Sequence, residues 1–286
     1  HSERDRPLPV HIEPQIVRAQ SRGRVLVAED TPTNQKVAAL LLERLGYHAD
    51  VVANGHEAIE AIKMAPYDLI LMDCNMPEMD GFAATQAIRR MQDANSRTPI
   101  IALTANALQG EHGRCVAAGM DDYLAKPIRT ERLASMLKKW LPDPSEISSA
   151  GFSEASLPAT EELAAQSALI DEVGSHLSEL SELGIEEHDI VDLIKTFLAT
   201  APDLLGQLTK AVEGSDITGA SSLAHRIRGT LGSIGMFGLE RDMKQVEHRC
   251  KGGSMEGVEQ MLAAIAGEFQ HGQAFLESRV GALIRP

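Results

Sequence analysis

Five polar residues, Glu29, Asp30, Asp73, Thr104 and Lys126, each close or follow a short apolar run. Three carboxylates gathered in one crevice repel one another, and a divalent cation relieves that repulsion. Oxygen donors without His or Cys favour a hard ion. Mg2+, which keeps several waters and bridges to phosphate oxygens, suits them. Lys126 adds a positive charge, and Thr104 a hydroxyl donor, around an acyl phosphate formed at Asp73. The set therefore outlines phosphoryl transfer by positioning and charge neutralisation.

A second candidate lies in SDITGASSLAHRIRGTLGSIGMFG, from residue 215. Ile217, Ala220, Ala224, Ile227, Leu231 and Ile234 recur at three- and four-residue spacing and define a core-facing helical stripe. His225, Arg228, Gly229 and Gly232 share a neighbouring stripe displaced from it, which predicts a partly exposed His225. Each glycine inside a helix costs roughly 0.8 to 1 kcal/mol relative to Ala. Close approach of another surface gives a reason to keep them. Neutral imidazole is nucleophilic, and Arg228 supplies a cation one turn away that can hold a phosphoryl group. The other nine histidines fit surface or packing roles, and none forms a spaced metal-ligand cluster with Cys74, Cys115 or Cys250.

The elements that position the first set are legible in the pattern. RVLVAED, YDLILMD, TPIIALT and DDYLAKP read as strands, three of them continuously apolar as expected for parallel strands buried on both faces. HADVVA at 48–53 is a fifth strand, ending at Asn54-Gly55. Helical periods over 34–45, 56–65, 80–92 and 129–140 alternate with them, so residues 24–141 form a doubly wound α/β domain. In such a sheet, groups at the carboxyl ends of neighbouring strands converge on one crevice.

The stretches VAEDTPTNQ, LILMDCNMPEMDG, IALTANA and DDYLAKPI resemble the receiver domain of two-component signalling in order and separation. The resemblance implies a five-stranded sheet of order 2-1-3-4-5 with Asp73 as phosphoacceptor. It also implies Mg2+ held by Glu29, Asp30, Asp73 and the main-chain carbonyl of Asn75, with Thr104 and Lys126 on the phosphoryl group. A cis peptide between Lys126 and Pro127 is expected, and Tyr123 is similar to the aromatic that changes rotamer with Thr104.

At 286 residues the chain exceeds one domain. The proposed division is a polar stretch at 1–22, a receiver at 23–141, a linker at 142–164 rich in Pro, Ser and Gly, and a helical bundle at 165–286. Between Trp140 and Ile194 there are thirteen Asp and Glu and no Lys or Arg, which accounts for thirteen of the fourteen net negative charges. This is a solvated acidic surface without the basic stripes of a nucleic-acid binder.

The His225 segment resembles the histidine phosphotransfer domain, an antiparallel helical bundle whose motif has His, Lys three residues on, and Gly at the fourth and tenth. Here those positions hold His225, Arg228, Gly229 and Gly235, with Arg in place of Lys. Helices near 187–212, 216–234, 238–250 and 255–279 are expected, Pro202 kinking or dividing the first.

Three cysteines argue for a reducing compartment, and no apolar run approaches 18 residues. No direct membrane contact is expected of this chain. No nucleotide-binding loop or DNA-binding helical module is visible. The start without Met, in polar, unpatterned sequence, suggests a piece of a longer protein. The tandem order resembles the C-terminal end of a hybrid sensor histidine kinase. That implies phosphotransferase activity, an upstream kinase core as donor, a separate response regulator receiver as acceptor, and a cytoplasmic location, with anchoring of the parent in the inner membrane left open. Two other classes compete: a non-catalytic docking module restraining a kinase core, and a Mg2+-dependent phosphohydrolase. The latter expects a second Asp two residues after the nucleophile, where this chain has Asn75.

Overall fold

The computed structural model describes residues 22–104, 111–141 and 165–283. Apart from Arg22, the expected stretches at 1–22 and 142–164 lie outside the described residues. The first half alternates β1 (Arg24–Ala28), α1 (Pro32–Arg44), β2 (His48–Val52), α2 (Gly55–Met64), β3 (Leu69–Asp73), α3 (Gly81–Arg89), β4 (Ile100–Thr104), α4 (Glu111–Ala118), β5 (Asp122–Ala125) and α5 (Thr130–Trp140). All pairings are parallel and the strand order is β2-β1-β3-β4-β5, as the resemblance implies.

Strand alternation divides the core between the two faces of the sheet. Val25, Val27, Leu69, Leu71, Ile101 and Leu103 point to one side and pack with Val37, Leu41, Leu133 and Leu137 of α1 and α5. Leu26, Ala28, Ile70, Met72, Ile100 and Ala102 point to the other and meet Ala58, Ile62, Ala84, Ile88 and Cys115 of α2, α3 and α4. Local signals fix the helix starts: Pro32 occupies the first turn of α1, and the Asn54 and Asp80 side chains accept from the Glu57 and Ala83 amides. All three cysteines are buried and none forms a disulfide.

The loop after β3 is moulded by one glycine. A Cβ added at Gly81 would run into the main-chain carbonyl of Asp73, so only glycine lets α3 begin against the site. Gly81→Ala should therefore cost about 1–3 kcal/mol by overpacking and displace Asp73. An unchanged thermal midpoint for this variant would show that the loop simply relaxes around the methyl group.

The second half is helical: α6 (Ala165–Glu182), α7 (Glu187–Glu213), α8 (Ile217–Ser233), α9 (Phe237–Lys251) and α10 (Val258–Leu283). The turns between α7, α8 and α9 are short, so these consecutive helices lie as antiparallel neighbours. The expected stripe is real: Ala220, Ala224, Ile227, Leu231 and Ile234 are buried. Gly235 ends α8 at φ 89° against His176 of α6, a conformation and a space that both require glycine.

Two corrections concern the helices. Pro202 does not divide α7, which runs through it as one 27-residue helix. Burial of Leu193, Ile194, Phe197, Ala201, Leu204 and Leu208 along one face keeps the helix continuous, and this packing outweighs one missing N–H. Helix α6 is not delimited by the sequence reading, although Leu169, Val173, Leu177 and Leu180 recur at helical spacing and are buried.

The two halves are packed together. Helix α1 lies against α7 and α8, and the apolar cluster on the α1/α5 side of the sheet continues into the core of the bundle. The Arg44 side chain donates to the Leu183 carbonyl at one edge of this contact, and Lys36 sits 3.4 Å from Asp192.

Candidate functional site

At the carboxyl edge of the sheet, Glu29 and Asp30 follow β1, Asp73 ends β3, Thr104 ends β4, and Lys126 follows β5. Pairing of Thr104 with Ala125 brings β5 level with β4, and the Lys126 amide donates to the Thr104 carbonyl at 2.7 Å. The fold thus brings together all five residues picked from the sequence. Ligand atoms of Glu29, Asp30 and Asp73 lie within 4.8 Å of one another. The Lys126 ammonium bridges Glu29 Oε2 at 2.5 Å and Asp73 Oδ2 at 2.7 Å. The Lys126–Pro127 peptide is cis.

The electrostatics are those of a crowded acidic pocket. Burial pushes the Asp73 carboxyl up to about 6, with Lys126 pulling against that rise and Glu29 adding to it. Asp30 is also raised, first by burial and then by Glu29, with Arg226 and Lys126 opposing. Burial works against the charge on Lys126, yet the two carboxylates it bridges raise its pKa above the usual lysine value. Positive charge is what this pocket lacks, and its oxygen-only donor set fits a hard divalent cation. Thr104 is buried, and Tyr123 packs at the edge of the core on the α2–α4 side of the sheet.

His225 is where the structure corrects the sequence reading most. The expected partial exposure is replaced by burial, with only 7% of the residue accessible. Two neighbours cover it. Its Nδ1 lies 2.9 Å from Glu247 Oε1 on α9, and its Nε2 lies 3.3 Å from the side-chain amide of Asn75, two residues beyond Asp73. With Nδ1–H donating to the carboxylate, Nε2 carries the lone pair and faces the crevice. Arg228, also buried, reaches Glu247 Oε2 at 3.0 Å and Glu240 at 3.8 Å. Its guanidinium is thus paired with carboxylates of its own bundle.

The glycines of the His225 motif do admit another surface, and that surface is the chain's own first half. A Cβ at Gly229 would sit 2.9 Å from the Asn34 side-chain nitrogen, and one at Gly232 would sit 3.3 Å from Pro127. Ser233 donates to Asn34 Oδ1 at 2.7 Å, while Asn34 donates to Glu29 Oε1 at 2.9 Å. Arg226 lies 2.7 Å from Asp30. Asn34, Arg226, Ser233 and Glu247 were missed as site residues. Asn34 stands inside the quoted VAEDTPTNQ, but its partner is 199 residues away, and no local signal marks Glu247.

Glu247 carries a pH dependence. Burial opposes its ionisation, but His225, Arg228 and Lys251 hold its carboxyl at about 2, down from 4.5. A depressed folded-state pKa means that the unfolded chain binds more protons between those values. The stabilisation is full above pH 4.5 and is lost as pH falls towards 2, about 3 kcal/mol in all. Chemical denaturation of wild type and Glu247→Gln across this acid range should give a steep loss in the first and a shallower one in the second. Parallel losses would remove Glu247 as the source.

Comparison with known proteins finds two family matches along the chain. Residues 25–138 match the family described as response regulator receiver domain, and residues 192–275 match the Hpt domain. Signal transduction histidine-protein kinase BarA of Escherichia coli (strain K12) is 30% identical over 259 residues, covering 90% of this chain and 26% of BarA. Sensor histidine kinase GacS of Pseudomonas protegens is 40% identical over 136 residues, covering 47% of this chain and 15% of GacS. The chain thus spans about a quarter or less of the length of these curated relatives. Among solved structures, the receiver domain of sensor histidine kinase PA1611 from Pseudomonas aeruginosa PAO1, with magnesium in its active-site cleft, is 45% identical. The match covers 42% of this chain and 98% of that one, with a TM-score of 0.40. Among the described residues, no helix is long and apolar enough to cross a membrane.

Proposed function

Because this chain belongs to the response regulator receiver family over residues 25–138 and to the Hpt family over residues 192–275, we propose that Asp73 and His225 are the two phosphoryl acceptors of its phosphorelay. One observation carries the assignment of both residues: His225 Nε2 sits against Asn75 at the mouth of the pocket that holds Asp73. Nucleophile and acceptor then share one enclosed crevice, and transfer is a short displacement within it.

An ionised Asp73 oxygen attacks the phosphorus of the donor, and the donor's phosphorus–heteroatom bond breaks, leaving an acyl phosphate. Thr104 and Lys126 flank the phosphoryl oxygens, and the Lys126 ammonium offsets their charge at the position where it now bridges Glu29 and Asp73. Glu29, Asp30, Asp73 and the main-chain carbonyl of Asn75 would hold Mg2+, which when bound neutralises charge on the phosphoryl group. In the second step the His225 Nε2 lone pair attacks phosphorus and the Asp73 carboxylate departs with its electron pair. No proton has to leave: Nδ1–H stays on the ring, and Glu247 stabilises the positive charge that develops there.

In this reading an upstream kinase histidine is the donor, a separate receiver is the final acceptor, and the chain acts as a phosphotransferase. The test is incubation of the wild-type chain with labelled acetyl phosphate and Mg2+, followed by acid and base treatment and mapping of the modified residues. Label at Asp73 that base removes, together with label at His225 that acid removes, is the expected result. Label at other residues, or none dependent on Mg2+, overturns it.

A further inference from the structure

Arg226 is the one cation that the bundle contributes to the acidic pocket among the described residues. Its Nε lies 2.7 Å from Asp30 Oδ2, on a carboxylate only 4% exposed, while its own side chain is 28% exposed. The guanidinium therefore caps Asp30 from the rim, on the side open to solvent. Asp30 otherwise accepts from the Thr31 hydroxyl through Oδ1 at 3.1 Å. Neither Asp30 Oδ2 nor Arg226 Nε makes an aligned hydrogen bond, despite being buried. The contact is a charge placed on a charge, with no directional bond to lock it. Such a contact can be exchanged for another cation without leaving a committed donor stranded.

We propose that Arg226 and Mg2+ compete for Asp30, so that the bundle docks on the metal-free receiver with a guanidinium standing where the ion's charge would be. This rests on the reading that Glu29, Asp30 and Asp73 hold Mg2+. Metal loading swings Arg226 aside and weakens docking. It does not abolish docking, because the Asn34–Ser233 bond and the packing of α1 on α7 and α8 do not involve Asp30. Thermodynamic linkage makes the effect reciprocal: a docked bundle lowers apparent Mg2+ affinity by the factor by which Mg2+ lowers docking. Arg226 is thus a positioning residue whose hold is released when the receiver is loaded for chemistry.

Isothermal titration of Mg2+ into the full chain tests this for wild type, Arg226→Gln and Arg226→Lys. If the guanidinium covers Asp30 about nine-tenths of the time, Arg226→Gln binds Mg2+ about tenfold more tightly than wild type. Arg226→Lys, which keeps the charge, stays near wild type. Hydrogen exchange supplies a second readout: Mg2+ should reduce amide protection in α8 of wild type and leave Arg226→Gln unchanged. Equal Mg2+ affinity in all three proteins, or equal tightening in the Gln and Lys variants, overturns the competition while leaving Mg2+ at the receiver. Failure of every protein to bind Mg2+ removes the metal reading itself, and the inference with it.

Discussion

Asp73→Asn is expected to abolish phosphoryl labelling from acetyl phosphate at both Asp73 and His225, whereas His225→Gln is expected to lose only the acid-labile fraction. The asymmetry follows from the order of the two steps. Asparagine keeps the shape of the side chain but removes the nucleophilic oxygen, so no acyl phosphate forms and nothing can be handed on. Glutamine at position 225 removes the ring nitrogen, while the receiver pocket keeps Glu29, Asp30, Lys126 and Thr104 in place. The enclosed setting of His225, 7% accessible behind Asn75 and Glu247, also limits its direct reaction with a small donor. Both losses should reach background, because each removes a covalent acceptor. Persistent His225 label in Asp73→Asn would show that the histidine draws on the donor independently, and the relay order would fail.

What the sequence disclosed and what it withheld divide along a physical line. Strand ends and their polar residues are local: the apolar runs before Glu29, Asp73 and Thr104 define buried parallel strands, and parallel topology brings their carboxyl ends together. The core stripe of α8 is local in the same sense, since three- and four-residue spacing fixes it. The exposure of His225 is not local. Helical periodicity placed it off the bundle core, but Asn75 of the first half and Glu247 of α9 cover it, and no period encodes their arrival. Glu247 and Asn34 fail for the same reason, being 22 and 191 residues from His225 in the chain and beside its site only after packing. The two glycines were the one visible trace, because their helical cost pointed to close approach without naming the partner. The expected division at Pro202 fails in the opposite direction: the continuous buried face of α7 carries the helix through it.

The interface itself is tested by Gly229→Leu, which should lower Asp73-to-His225 transfer roughly 100-fold while leaving label at Asp73 intact. Gly229 faces Asn34, where even a Cβ would approach to 2.9 Å, and a leucine adds three further carbons in that direction. Asn34 has no easy retreat, since its amide is shared between Glu29 and Ser233. The bundle must therefore back away or tilt, and displacement of a reacting nitrogen by about an ångström is enough for a loss of this size. The same change removes a glycine from the interior of α8, which raises intrinsic helix stability by roughly 0.8 to 1 kcal/mol. Overpacking against Asn34 works against that gain, so retained labelling at Asp73, which general unfolding would abolish, is what separates lost docking from lost fold. Transfer within one docked chain, as proposed, predicts a wild-type rate independent of protein concentration. If Gly229→Leu transfers at the wild-type rate, the docked arrangement is not the geometry of transfer, and the buried His225 marks a closed state that must open first.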